Sequence, residues 1–79
     1  MGATERRKII MQRQAVSSSN IASIGYDQAM QILEVEFTNG TVYQYFNVPL
    51  QVYEALMGAG SHGTYLNAHI KRQYQYQKI

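Results

Sequence analysis

Cysteine is absent from the 79-residue chain. Without thiols there is no disulfide framework and no thiolate metal site to supplement a small core, and the composition suits a reducing, cytoplasmic setting. Apolar runs are short. None approaches the roughly 18 residues of a membrane-spanning helix, and Ile9-Ile10-Met11 is too brief for the apolar stretch of a secretory signal. No membrane partner is therefore expected. Lys and Arg are missing altogether from residues 16–70, where Asp27, Glu34, Glu36 and Glu54 give a charge of −4. The cations sit at the two ends. Arg6, Arg7, Lys8 and Arg13 against Glu5 leave +3 over residues 1–15, and Lys71, Arg72 and Lys78 add +3 over residues 71–79. Attraction for a polyanion must then come from the termini rather than from the middle of the chain.

What is present is compact and strongly patterned. A chain of this length makes one domain, which buries only about 60% of its unfolded surface and so has a thin stability margin. Leu33, Val35 and Phe37 alternate with Glu34 and Glu36, the period-two signature of a half-buried strand. Thr41–Phe46 is rich in β-branched and aromatic residues, which suit a second strand. Asn39-Gly40 between them supplies the turn. Ile21–Asp27 reads as an earlier strand with Ala22, Ile24 and Tyr26 on one face, led in by the Ser17-Ser18-Ser19-Asn20 cluster. Pro49 suits the start of a helix, in which Val52, Ala55, Leu56 and Ala59 recur at helical spacing. Ser61 is a candidate N-cap for a second helix with Leu66 and Ile70 inward. The expected fold class is α+β: a three-stranded antiparallel meander followed by two C-terminal α-helices packed on one face. Residues 1–15 read as a basic, disordered arm, 16–74 as the domain and 75–79 as a tail.

The hairpin admits two registers. A two-residue turn pairs Phe37 with Val42, whereas a three-residue loop with a bulge at Gly40 pairs Phe37 with Thr41. In the second register Tyr43 and Tyr45 share a face with Leu33, Val35 and Phe37, leaving Glu34, Glu36 and Gln44 to water. A one-residue slip exchanges the faces completely.

The ordered series Val16–Ile21, Ile24-Gly25-Tyr26-Asp27, Leu33–Phe37, Gly40, Tyr43-Gln44-Tyr45 and Val48-Pro49 is distinctive. It continues through Tyr53, Leu56, Ala59, Ser61, Gly63, Tyr65, Leu66, Asn67 and Ile70. This resembles the KTSC domain, which is named for the C-terminal end of some lysyl-tRNA synthetases and also occurs as a free-standing small bacterial protein. The resemblance runs from about Val16 to Tyr74 and includes the Tyr-x-Tyr signature of that family. His62 stands where the family often has Lys or Ala, and Leu66 where it often has Phe. The family commonly begins near Met11, so residues 1–10 look like an extension. The resemblance implies a three-stranded sheet with C-terminal helices, favours the bulged register, and brings the suggestion of RNA binding that the synthetase connection carries.

Catalytic chemistry has little to work with. His62 and His69 are the only imidazoles, and at seven residues apart on a helix they lie about 10 Å apart along its axis. That spacing does not chelate one metal. Glu34 and Glu36 point the same way on one strand and are expected to keep the outer face soluble. No enzyme activity, cofactor or metal site is expected. The expected function is a small non-enzymatic binding module for RNA or a ribonucleoprotein. Its candidate contacts are Arg6, Arg7, Lys8, Arg13, Lys71, Arg72, Tyr74, Tyr76 and Lys78, the two termini gripping together. A weaker candidate is anion binding by Ser61, His62 and Gly63 at a helix start. The alternative is a protein-interaction domain using exposed Val42, Phe46 or the helix surface.

Overall fold

Residues 12–79 are described by the structure, a computed structural model. Five strands form one antiparallel sheet in the order β1-β2-β3-β4-β5. They are β1 (Arg13–Ala15), β2 (Ile21–Asp27), β3 (Ile32–Phe37), β4 (Val42–Tyr45) and β5 (Tyr76–Lys78). Between β4 and β5 the chain forms helix α1 (Leu50–Met57) and the short helix α2 (His62–Tyr65), which runs on as a π-helical turn over Leu66–Ile70. The expected three-stranded meander is thus the centre of a five-stranded sheet. Both ends of the described chain add an edge strand to it.

The β3–β4 hairpin takes the bulged register. Val35 pairs with Tyr43 and Leu33 with Tyr45, while the Phe37 N–H donates to the Thr41 carbonyl at 2.8 Å. The Gly40 N–H closes the turn on the Phe37 carbonyl, and Gly40 takes φ +93°, a conformation that costs glycine little. Asn39 Oδ1 accepts from the Thr41 N–H and hydroxyl, which stiffens the loop. Strand β2 contains an irregularity between Ile21 and Ser23. It sets Ile21 opposite Phe37, so that Ile21 and Ile24 are fully buried while Ala22, expected on that face, is only part-buried.

The core lies between one sheet face and the helices. Ile24, Leu33, Val35 and Tyr45 meet Val48, Leu56, Leu66 and Ile70 there. Lys71 donates its N–H to the Leu66 carbonyl at 2.8 Å, the bond that widens this last turn to π geometry. Tyr26 anchors the entry to α1, its hydroxyl donating to the Val48 carbonyl and its ring stacking on Tyr53 at 4.6 Å.

The opposite sheet face is less open than the alternation predicts. Registers align Arg13, Gly25, Glu34, Gln44 and Gln77 in one row across all five strands. Gly25 carries no side chain, so Arg13 crosses β2 and places Nε 3.1 Å from Glu34 Oε2. Gln44 Nε2 donates to the other Glu34 oxygen at 2.9 Å. Glu34, expected in water, is only 8% exposed. Burial of a carboxylate is tolerable because both its oxygens are paired. Glu36 accepts from the Ser23 hydroxyl at 2.8 Å and lies 3.7 Å from Arg13 Nη1.

Candidate functional site

Pairing of β5 beside β4 brings the end of the chain back onto the helix-covered face. Tyr76 pairs with Tyr45, and Lys78 with Tyr43, so all four residues belong to rows of the inner face. The Phe46 N–H to Gln75 carbonyl and Ile79 N–H to Val42 carbonyl bonds, both 2.9 Å, hold the two ends of this edge strand. Between β5 and the end of the π turn lies an open groove of about 1010 Å³. Tyr43, Tyr45 and Tyr76 line its sheet side, and Asn67, Lys71 and Arg72 its helix side.

The three tyrosines form a cluster, with ring centroids 5.5 Å apart for Tyr43 and Tyr76, 5.8 Å for Tyr45 and Tyr76, and 6.4 Å for Tyr43 and Tyr45. Their exposures divide the work. Tyr45 is 1% exposed and serves as floor, whereas Tyr76 is 56% exposed and offers a ring to a ligand. Burial first, then the neighbouring Tyr43 and Tyr76 phenols, push the Tyr45 hydroxyl up to about 12, so it stays neutral at any physiological pH. Phe37 extends the cluster, edge-on to Tyr43 at 5.7 Å.

Charge is segregated around this groove. Lys71 and Arg72 line it and are exposed, and among the described residues no acidic side chain does so. Glu34 and Glu36 lie on the other sheet face, engaged with Arg13. A groove with an exposed tyrosine, a neutral aromatic floor and two cations can bind an anionic ligand that also carries a planar ring.

Of the residues singled out from the sequence, Lys71, Arg72, Tyr74 and Tyr76 come together here, and Lys78 sits one strand row away beside Tyr43. Arg13 does not join them. It belongs to β1, at the other edge of the sheet, about 19 Å away across four strand spacings, and its guanidinium is occupied by Glu34 and Glu36. Arg13 and the C-terminal cations thus stand at opposite edges of the sheet and do not form one cluster. Arg6, Arg7 and Lys8 lie outside the described residues.

The Ser61, His62 and Gly63 segment is used locally. The Ser61 hydroxyl oxygen accepts the Thr64 N–H at 3.3 Å and donates to the Thr64 hydroxyl at 2.9 Å, a capping arrangement. His62 Nδ1 is buried and has no hydrogen-bond partner among the described residues. His69 is elsewhere, its ring 4.5 Å from that of Tyr65. Val42 and Phe46, expected to be exposed, are part-buried. No helix among the described residues is long and apolar enough to cross a membrane.

Sequence reasoning passed over Asn67 as a site residue and assigned Tyr43 and Tyr45 to the core. The Tyr-x-Tyr spacing contained the signal, but its juxtaposition with residues 71–76 depends on β5, which has no apolar alternation to reveal it.

A five-stranded antiparallel sheet with two helices on one face, and an aromatic, basic groove at its edge, defines a small α+β domain. Residues 17–74 match the model of the KTSC domain, and the chain belongs to that family. It is similar to an uncharacterized protein of Stutzerimonas stutzeri, 47% identical over 70 residues that cover 87% of this chain and 99% of that one. A lysine–tRNA ligase of a Nostoc species is 41% identical over 61 residues, 77% of this chain but only 11% of the ligase. The crystal structure of a KTSC domain protein from Yersinia pestis superposes with a TM-score of 0.83 at 44% identity. That match covers 89% of this chain and 99% of the other.

Proposed function

We propose that the protein is a non-enzymatic RNA-binding module whose contact surface is the groove between β5 and the π turn. The observation that carries the reading is the meeting of exposed Tyr76 with Lys71 and Arg72 in one groove that no carboxylate side chain among the described residues lines. Cations neutralise phosphates and supply most of the affinity for a nucleic acid, while an exposed ring stacks on a base of any sequence. The lysine–tRNA ligases that carry a similar segment act, by their name, on a tRNA. This association supports RNA over other polyanions.

Fluorescence anisotropy with a labelled single-stranded RNA at low salt tests the reading. Wild-type protein is expected to bind. Tyr76→Ala and Lys71→Gln are each expected to weaken binding about tenfold or more while circular dichroism stays native. Absence of wild-type binding at low salt overturns the proposal and leaves a protein partner as the reading to pursue. Retention of full affinity in both variants relocates the site away from this groove.

A further inference from the structure

The groove does not end at Lys71. A second recess, about 380 Å³, lies beyond it, and Lys71 and Asn67 line both. Phe37, Asn20, Asn39 and Gly63 are among the other residues of its walls. The aromatic floor is continuous beneath the two: Phe37 touches Tyr43 edge-on, and Tyr43 contacts Tyr76. Through Tyr43, at centroid steps of 5.7 and 5.5 Å, the Phe37 and Tyr76 rings are at most about 11 Å apart, too far for one base to cover both.

The chemistry of the second recess differs from that of the first. Three asparagines replace the cluster of tyrosines, and Lys71 is its one cation. Asn39 is committed to the hairpin through Thr41. Asn20 and Asn67 are exposed, and no hydrogen bond engages either side-chain amide among the described residues. Gly63 lies beside the Asn20 amide, whose nitrogen would be in ordinary van der Waals contact, 3.8 Å, with a Cβ at that position. A side-chain amide offers a donor and an acceptor together, the pairing that matches the edge of a nucleobase. Among the described residues, no acidic one lines the recess.

We infer that the two recesses form one track for an extended single strand, in which a base beyond Lys71 packs on Phe37 and is read by the Asn20 and Asn67 amides. The inference rests on the proposed RNA-binding function and deepens it. Lys71, standing between the recesses, holds the phosphate that links the two bound bases. A paired duplex does not fit this arrangement, because its bases are stacked on one another and cannot spread over two separate recesses. The second recess supplies base preference, and the tyrosine groove supplies sequence-tolerant stacking.

Anisotropy with uridine and adenosine nucleotides from one to about eight residues long tests this. The expected result is a further gain of about tenfold in affinity as the strand lengthens past the first groove, larger for one base than the other. Asn20→Ala, which lies outside the first groove, is expected to remove most of that gain and that preference while leaving the affinity of the shortest ligands unchanged. In wild-type protein, the backbone amide signals of Phe37 and Asn20 are expected to shift with the dinucleotide and longer strands and not with the mononucleotide, a readout that needs no variant to fold. If the shortest ligands bind but length and Asn20→Ala change nothing, the track is wrong and the proposed function stands. If no strand binds, both fall.

Discussion

Arg13 Nε and Glu34 Oε2 lie 3.1 Å apart across the middle of a sheet row in which the intervening residue is Gly25. This contact fastens edge strand β1 to a strand that is not its neighbour. A glutamate inside a sheet is costly unless its oxygens are engaged, and here Arg13 and Gln44 engage one each. Arg13→Gln is expected to lower stability by about 1–3 kcal/mol, because it leaves Glu34 with one partner. Adding Glu34→Gln is expected to recover part of that loss, with a coupling of about 1 kcal/mol in a double-mutant cycle by urea denaturation. Strict additivity would show that the ion pair contributes nothing.

Val35 is the geometric centre of the buried face, flanked by Ile24 on β2 and Tyr43 on β4. It is fully buried, and its methyls have no water to fall back on when packing is lost. Val35→Ala is expected to cost about 2–3 kcal/mol. For a small domain with roughly 5–10 kcal/mol in total, this should appear as a clear fall in the denaturation midpoint. An unchanged midpoint would place Val35 outside the core.

The central hairpin and the core face were legible because short-range rules govern them. Alternation in Leu33–Phe37 named the strand, but hydrophobicity alone mildly favoured the two-residue turn, and it was the family resemblance, with Tyr43 and Tyr45 sharing the apolar face, that selected the bulged turn at Gly40 that the structure has. The helical spacing of Leu66 and Ile70 likewise named two buried residues. The edge strands were not legible. Arg13–Ala15 and Tyr76–Lys78 are three residues each, exposed throughout, and held by ladder bonds rather than apolar burial. Glu34 was placed in water because its burial depends on Arg13, a partner distant in sequence that reaches it only where Gly25 leaves room. The groove was half legible. Lys71, Arg72, Tyr74 and Tyr76 were named from charge and aromatic content, but their meeting with Tyr43 and Tyr45 follows from β5.

The buried Tyr45 phenol makes stability sensitive to alkaline pH. Its pKa is pushed up to about 12 in the folded protein by burial, with smaller contributions from Tyr43 and Tyr76, and is near 10 when unfolded. Between these values the unfolded chain sheds the proton and the folded one keeps it, so stability falls as pH rises. The contribution is intact below about pH 10 and is lost through about pH 12, on the order of 2–3 kcal/mol in all. Tyr45→Phe keeps the ring and removes the proton. Its stability, followed by circular dichroism, is expected to decline less steeply than wild type over that window. A decline as steep as that of wild type would assign the alkaline sensitivity to other groups, Tyr26 among them, whose pKa burial also raises.

The positions of the cations predict an asymmetric response to salt. Lys71 and Arg72 line the groove on the inner face, while Arg13 is at the far edge of the sheet and paired with Glu34 and Glu36 on the outer face. For a single-stranded polyanion, each neutralised phosphate contributes about 0.7 to the slope of log affinity against log salt. Lys71→Gln with Arg72→Gln is therefore expected to flatten that slope by about 1.4, and to weaken binding most where salt is lowest. Arg13→Gln is expected to leave the slope where it was, even though it lowers stability. Equal flattening by both sets of substitutions would mean that the two edges of the sheet act on one ligand together, and that the groove alone does not define the contact. Titrations at several salt concentrations, below the unfolding temperature of every variant, separate the two outcomes.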